Sequence, residues 1–235
     1  MKIRCVTGGS RPIGLSAMRI IIAIASAVLF PIVSMAEGKA AQPQATAEQK
    51  QPVVLLKDDF SDATKSKQLW QSNTKFTREA CDFSEEKNNR LTFGGINHHY
   101  VYTSADPASA NWSDLTYELT VDYISHGTNT PVRWGDCWFG VFLRGQLLFA
   151  TSPATGVCVW YETNGQPHYA DTAIAGRFAD GTSSKLKFIC KGDTVEAILD
   201  GKTVIKVPNA GGKGCLGFGE WNCRVSVSNI TVTQL

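Results

Sequence analysis

Long amphipathic helices are what this sequence lacks most. Only Ala63 to Trp70 offers a helical turn, so strands are left to build the fold. An excess of positive charge is missing too. The full chain carries 23 Lys and Arg against 21 Asp and Glu, a net +2. Lys2, Arg4, Arg11 and Arg19 all precede residue 37, where no acid occurs, so the remainder holds 19 bases against 21 acids and is net −2. Such a chain has no electrostatic footprint for nucleic acid or an anionic membrane surface. No Cys-x-x-Cys occurs and the four histidines are not spaced as partners, which disfavours a zinc site. No Gly-x-Ser-x-Gly elbow supports a serine nucleophile. There is no internal repeat and no second shift in composition, so one domain is expected.

What is present begins with a leader. Arg19 precedes the apolar run Ile20 to Phe30, and Ser34-Met35-Ala36 supplies the small residues of a signal-peptidase site. The run is short and is followed by Pro31, which argues against stable membrane insertion after cleavage. Residues 1–36 therefore read as a signal peptide and the protein as secreted or periplasmic. No cysteine follows the cleavage site, so lipid anchoring is not indicated. Residues 37–52, rich in Ala, Gln and Lys with Pro43 and Pro52, read as a flexible linker. Residues 53–235 are the domain, a length suited to one β-sandwich.

Cysteine usage agrees with export. Cys5 leaves with the leader, and Cys81, Cys137, Cys158, Cys190, Cys215 and Cys223 remain. An even number in an exported chain predicts disulfides. Cys215 and Cys223 flank a tight turn and are expected to face each other across neighbouring strands. Cys137–Cys158 and Cys81–Cys190 complete the expected set.

The strands announce themselves by alternation. Tyr117, Leu119, Val121 and Tyr123 point one way while Thr116, Glu118, Thr120 and Asp122 point the other. Cys137 to Arg144 is apolar on both faces, as a central strand would be. Leu186 to Cys190, Thr194 to Leu199 and Lys202 to Val207 form a meander punctuated by Lys191-Gly192-Asp193 and Asp200-Gly201. Gly214 to Phe218 and Cys223 to Val227 are expected to form a further pair around Gly219 to Asn222. This spacing predicts an all-β fold of two packed antiparallel sheets.

Several segments resemble the concanavalin A-like lectin/glucanase superfamily. Asp58-Asp59-Phe60 with Trp70 resembles its opening. Trp112-Ser113-Asp114-Leu115-Thr116-Tyr117-Glu118-Leu119 is similar to its W-x-D-(F/Y)-E-L strand, and Gly140 to Arg144 to its G-(I/V)-x-x-R strand. Gly214 to Phe218 with Val225 to Val232 is similar to its closing pattern. Laminin-G-like modules and the 3-keto-disaccharide hydrolase type of domain are the nearest forms. The resemblance spans about Val54 to Leu235 and implies a jelly-roll sandwich that binds glycans on a concave face or rim. It also implies a structural calcium near the chain ends, for which Asp58 and Asp59 offer one half. The Glu-x-Asp-x-x-Glu motif of the catalytic glucanases is absent.

Carbohydrate is thus the expected partner, held on a concave aromatic and polar face. Sugar rings present apolar C–H faces that flat aromatic rings match. Trp138 alternates in phase with Arg144, and Trp160 with Glu162. If those two strands adjoin, Trp138, Arg144, Trp160 and Glu162 line a groove, with Trp221 at the rim. A core role for the tryptophans is the competing reading. Glycoside hydrolysis would need two carboxyl groups flanking a bond, about 5–10 Å apart. Glu118, Asp122 and Glu162 are the candidates, against the alternative that Glu118 and Asp122 lie on a solvated sheet face. His98-His99 point to opposite faces of a strand and are not expected to share a metal. A glycoside hydrolase of the 3-keto-disaccharide type and a laminin-G-like protein-interaction module are the alternatives to a glycan-binding domain.

Overall fold

The computed structural model describes residues 51–72, 86–95, 98–126, 137–145, 147–153, 156–163, 166–172 and 178–235. The chain enters as β1 (Val54–Asp58), one helix α1 (Ala63–Leu69) and β2 (Trp70–Ser72). Then come β3 (Glu86–Lys87), β4 (Arg90–Gly94), β5 (His99–Ser104), a 3-10 turn over Pro107–Asn111, and the long β6 (Leu115–His126). After it follow β7 (Trp138–Leu143), β8 (Leu147–Ser152), β9 (Gly156–Thr163), β10 (Gln166–Thr172), β11 (Ser183–Lys191), β12 (Thr194–Leu199), β13 (Lys202–Val207), β14 (Gly217–Trp221) and β15 (Cys223–Gln234). No helix among the described residues is long and apolar enough to cross a membrane.

Two antiparallel sheets pack face to face. One runs β13-β12-β11-β6-β15-β4-β3, with β1 also on β15; the other, seven-stranded, runs β10-β9-β8-β7-β14-β5-β2. The alternation that predicted β6 is obeyed: Tyr117, Leu119, Val121 and Tyr123 are buried between the sheets, opposed by Tyr102, Phe139, Val141, Phe149 and Phe218 from the other. Local chemistry sets the turns. Asp200 and Gly201 both take positive φ, as a two-residue hairpin between β12 and β13 requires. Asp62 caps α1 by accepting from the Thr64 and Lys65 amides.

The expected pairing of the last strands is wrong. β14 and β15 are not hairpin partners but lie in different sheets, each between two other strands. The chain crosses from one sheet to the other at Asn222, whose φ of 56° redirects it. Cys215 and Cys223 are separated in consequence. The Cys215 carbonyl accepts from Gly145 at one end of β7, whereas the Cys223 thiol donates to the Trp138 carbonyl at the other. Cys137 and Cys158 fail as a pair for a different reason. Cys137 belongs to the core, while Cys158 sits opposite Ala150 on the face turned away from it. Cys190 is in no disulfide either, and burial pushes its thiol pKa up to about 11. Cys81 lies outside the described residues.

Candidate functional site

The seven-stranded sheet presents its second face away from the core, and there three rings meet. Trp221 on β14 is the direct register partner of Trp138 on β7 and of His99 on β5. Direct partners in an antiparallel ladder share a face. The His99 ring stands edge-on to both indoles, 4.9 Å from Trp221 and 5.7 Å from Trp138 between centroids. All three side chains are half-buried. One pleat along, the same face carries Val101, Gly219, Gly140 and Ala150 in a row across four strands. The next pleat brings Thr103, Gly217, Phe142, Leu148 and Trp160. A floor of small residues therefore separates two aromatic ends. A Cβ on Gly140 would lie 2.6 Å from Leu148 Cδ1 and 2.9 Å from Trp138 Cζ3, both of which lean over it.

Of the residues expected to bind, Trp138 and Trp221 are brought together. Trp160 is on the same face, but β8 intervenes between β7 and β9, so the two strands do not adjoin. Trp160 lies level with Phe142, roughly 13 Å along the strands from Trp138. The Glu162 side chain lies outside the described part; its backbone pairs with Pro167.

Arg144 is a correction. Its φ of 53° ends the β7 alternation and turns the side chain out of phase with Trp138. The side chain is buried, and its guanidinium donates to the carbonyls of Ser113 and Ala210, with Asp114 at 3.5 Å. It clamps the strand connections together.

Glu118 and Asp122 lie on β6 of the other sheet, on its outer face, engaged with Lys187 and Arg90 respectively. They are on the opposite side of the sandwich from the three rings. Asp58 and Asp59 also have other partners. Asp58, 1% exposed, accepts from the Phe60 amide, Ser66 Oγ and Trp70 Nε1. Asp59 accepts from the amide and hydroxyl of Ser61, which hold its carboxyl below the usual value. No group of three or more His, Cys, Asp or Glu among the described residues is placed to hold a metal.

Two features escaped the sequence reading. His99 was legible only as one of a histidine pair; its phase with Val101 and Thr103 was the available signal. Glu220 is fully buried beneath the rings, and its carboxylate accepts from the amides of Tyr100 and Cys223. It fixes β5 to the crossover at Asn222. Beside it His126 pairs with Asp180. Burial pulls the His126 imidazole down, but the Cys137 thiol and the Asp180 carboxylate together hold it above its ordinary value.

No protein-family profile and no curated protein sequence matches the chain. Solved structures do. The laminarinase catalytic domain of Thermotoga maritima MSB8 superposes with a TM-score of 0.57 at 9% identity, over 79% of this chain and 99% of that one. A Bacillus licheniformis β-glucanase gives 0.52 at 13% identity, over 80% and 100%. A Bacillus subtilis protein with a galectin-like fold gives 0.50 at 11%, over 79% and 97%. The fold is a concanavalin A-like jelly roll. At these identities the likeness is one of architecture, and the site has to be argued from its own residues.

Proposed function

We propose that this domain binds carbohydrate across the outward face of its seven-stranded sheet, after export from the cytoplasm. The observation that carries the reading is the Trp138–His99–Trp221 cluster. Large aromatic rings normally complete a core, yet these three are half-buried on the face away from it. Edge-on His99 braces both indoles, which leaves them preorganised for the C–H face of a sugar at little entropic cost.

Glu118 and Asp122 are ion-paired on the other sheet and cannot flank a glycosidic bond held at these rings, so binding is the reading the rings themselves support. The solved glucanases of this architecture make carbohydrate the first ligand class to test.

The test is a glycan-binding screen on the purified domain with product analysis alongside. Trp138→Ala and Trp221→Ala are each expected to weaken the best ligand about 5- to 10-fold. Unchanged affinity in both variants removes this surface as the site. Release of cleaved product by the wild type replaces the binding reading with an enzymatic one.

A further inference from the structure

We propose that Cys137 and Cys223 are partners in a disulfide that joins the two sheets of the sandwich at the end where His126 sits. The geometry already makes the two residues neighbours across the sheets. Cys223 Sγ donates to the carbonyl of Trp138, the residue next to Cys137, at 3.3 Å. Both thiols also act on the buried Tyr123 hydroxyl, and each raises it, as two groups beside the same side chain would. Each is buried, Cys137 completely.

Topology leaves neither a competing described partner. Cys158 is on the far face of the seven-stranded sheet. Cys215 is at the other end of β7. Cys190 pairs with Leu115, whereas Cys223 pairs with His126, and these mark opposite ends of β6, roughly 35 Å apart. A disulfide has to span Cα atoms about 4.4–6.8 Å apart, so neighbouring position decides the pairing.

The bond forms by thiol–disulfide exchange with a small disulfide such as oxidised glutathione, or with the disulfide of a thiol oxidase. The Cys137 thiolate attacks one sulfur of that disulfide, giving a mixed disulfide and expelling one thiolate. The Cys223 thiolate then attacks Cys137 Sγ and expels the second. Two protein thiols are oxidised, one disulfide is reduced to two thiols, and the two protons pass to the leaving thiolates. β7 and β15 belong to different sheets, so the product holds the sheets together covalently where β-sheet hydrogen bonds cannot.

The experiment is peptide mapping of the full chain without reduction. The protein is exported to a bacterial periplasm in one arm, and refolded in a mixture of reduced and oxidised glutathione in the other. Free thiols are alkylated before digestion. The expected result in either arm is a peptide containing Cys137 linked to one containing Cys223, lost on reduction. Alkylated thiols at both positions in both arms overturn the proposal, as does linkage of either to another cysteine. Reduction of the wild type is expected to lower Tm by roughly 10 °C. The double variant Cys137→Ala/Cys223→Ala is expected to melt at the same temperature with and without reductant.

Discussion

The Asp58 carboxylate accepts a hydrogen bond from the Trp70 indole Nε1 at 2.9 Å, twelve residues further along the chain. Both groups are buried, so the pair fixes the first strand to the start of β2 through the helix between them. The second carboxylate oxygen is occupied by the Phe60 amide and Ser66 hydroxyl. Every partner is a donor. Asp58→Asn would turn an amide N–H toward donors at one end, and is expected to cost about 2–3 kcal/mol in urea unfolding. Asp59→Asn, at the surface, is expected to leave the midpoint unchanged. A chelator is expected to leave the wild-type midpoint unchanged as well, because these acids already serve protein donors.

Arg144 separates stability from binding. Its fork reaches two carbonyls that a lysine cannot serve together. Arg144→Lys is expected to lose about 2 kcal/mol of stability while glycan affinity in the folded protein stays within twofold. A large affinity loss with unaltered stability would return Arg144 to the binding face.

The glycine floor gives a paired contrast. An alanine at Gly140 meets side-chain tips of Leu148 and Trp138, whereas one at Gly219 meets the Tyr100 carbonyl at 2.5 Å. Side chains can rotate and a ladder carbonyl cannot. Gly140→Ala is therefore expected to displace Trp138 and weaken sugar binding several-fold, with a stability loss of about 1 kcal/mol. Gly219→Ala is expected to cost 2 kcal/mol or more, about twice the loss at Gly140. Equal stability losses, measured by thermal melting, would contradict the geometry.

His126 gives the fold a pH dependence. Its folded-state pKa is raised above the ordinary 6.5 despite burial, by Cys137 and Asp180. The stabilisation is therefore complete below the unfolded value and is lost as pH rises through the raised one. Urea midpoints of the reduced protein are expected to fall across that interval. Asp180→Asn should flatten the slope, and so should closing the Cys137–Cys223 bond, which removes the thiol's share. A midpoint that rises with pH over this interval would contradict the sign.

Most strands were legible because each has one face against the core. Leu115 to Tyr123 keeps its alternation from sequence into structure, and Thr194 to Leu199 and Lys202 to Val207 form the strands read from them. The errors arise where a local pattern was carried past its physical end. The in-phase reading of Arg144 assumed that β7 continues, but a left-handed residue stops it. The pairing of Cys215 with Cys223 assumed that a tight turn keeps both arms in one sheet, and Asn222 sends them to different ones. Trp138 and Trp221 were each visible as candidates. That they touch the same histidine was not, because β5, β7 and β14 come together only across long sequence separations.

The crossover at Asn222 has a consequence for the order of events during synthesis. β14 lies between β7 and β5, and β15 between β6 and β4, so the strands on either side of it are central to both sheets. A nascent chain that ends before residue 217 has a gap in the middle of each sheet, and neither can close around its apolar face. Such high-contact-order assembly delays folding until the whole domain has emerged. The proposed export would benefit directly, since a secretion channel threads a polypeptide only while it is still unfolded.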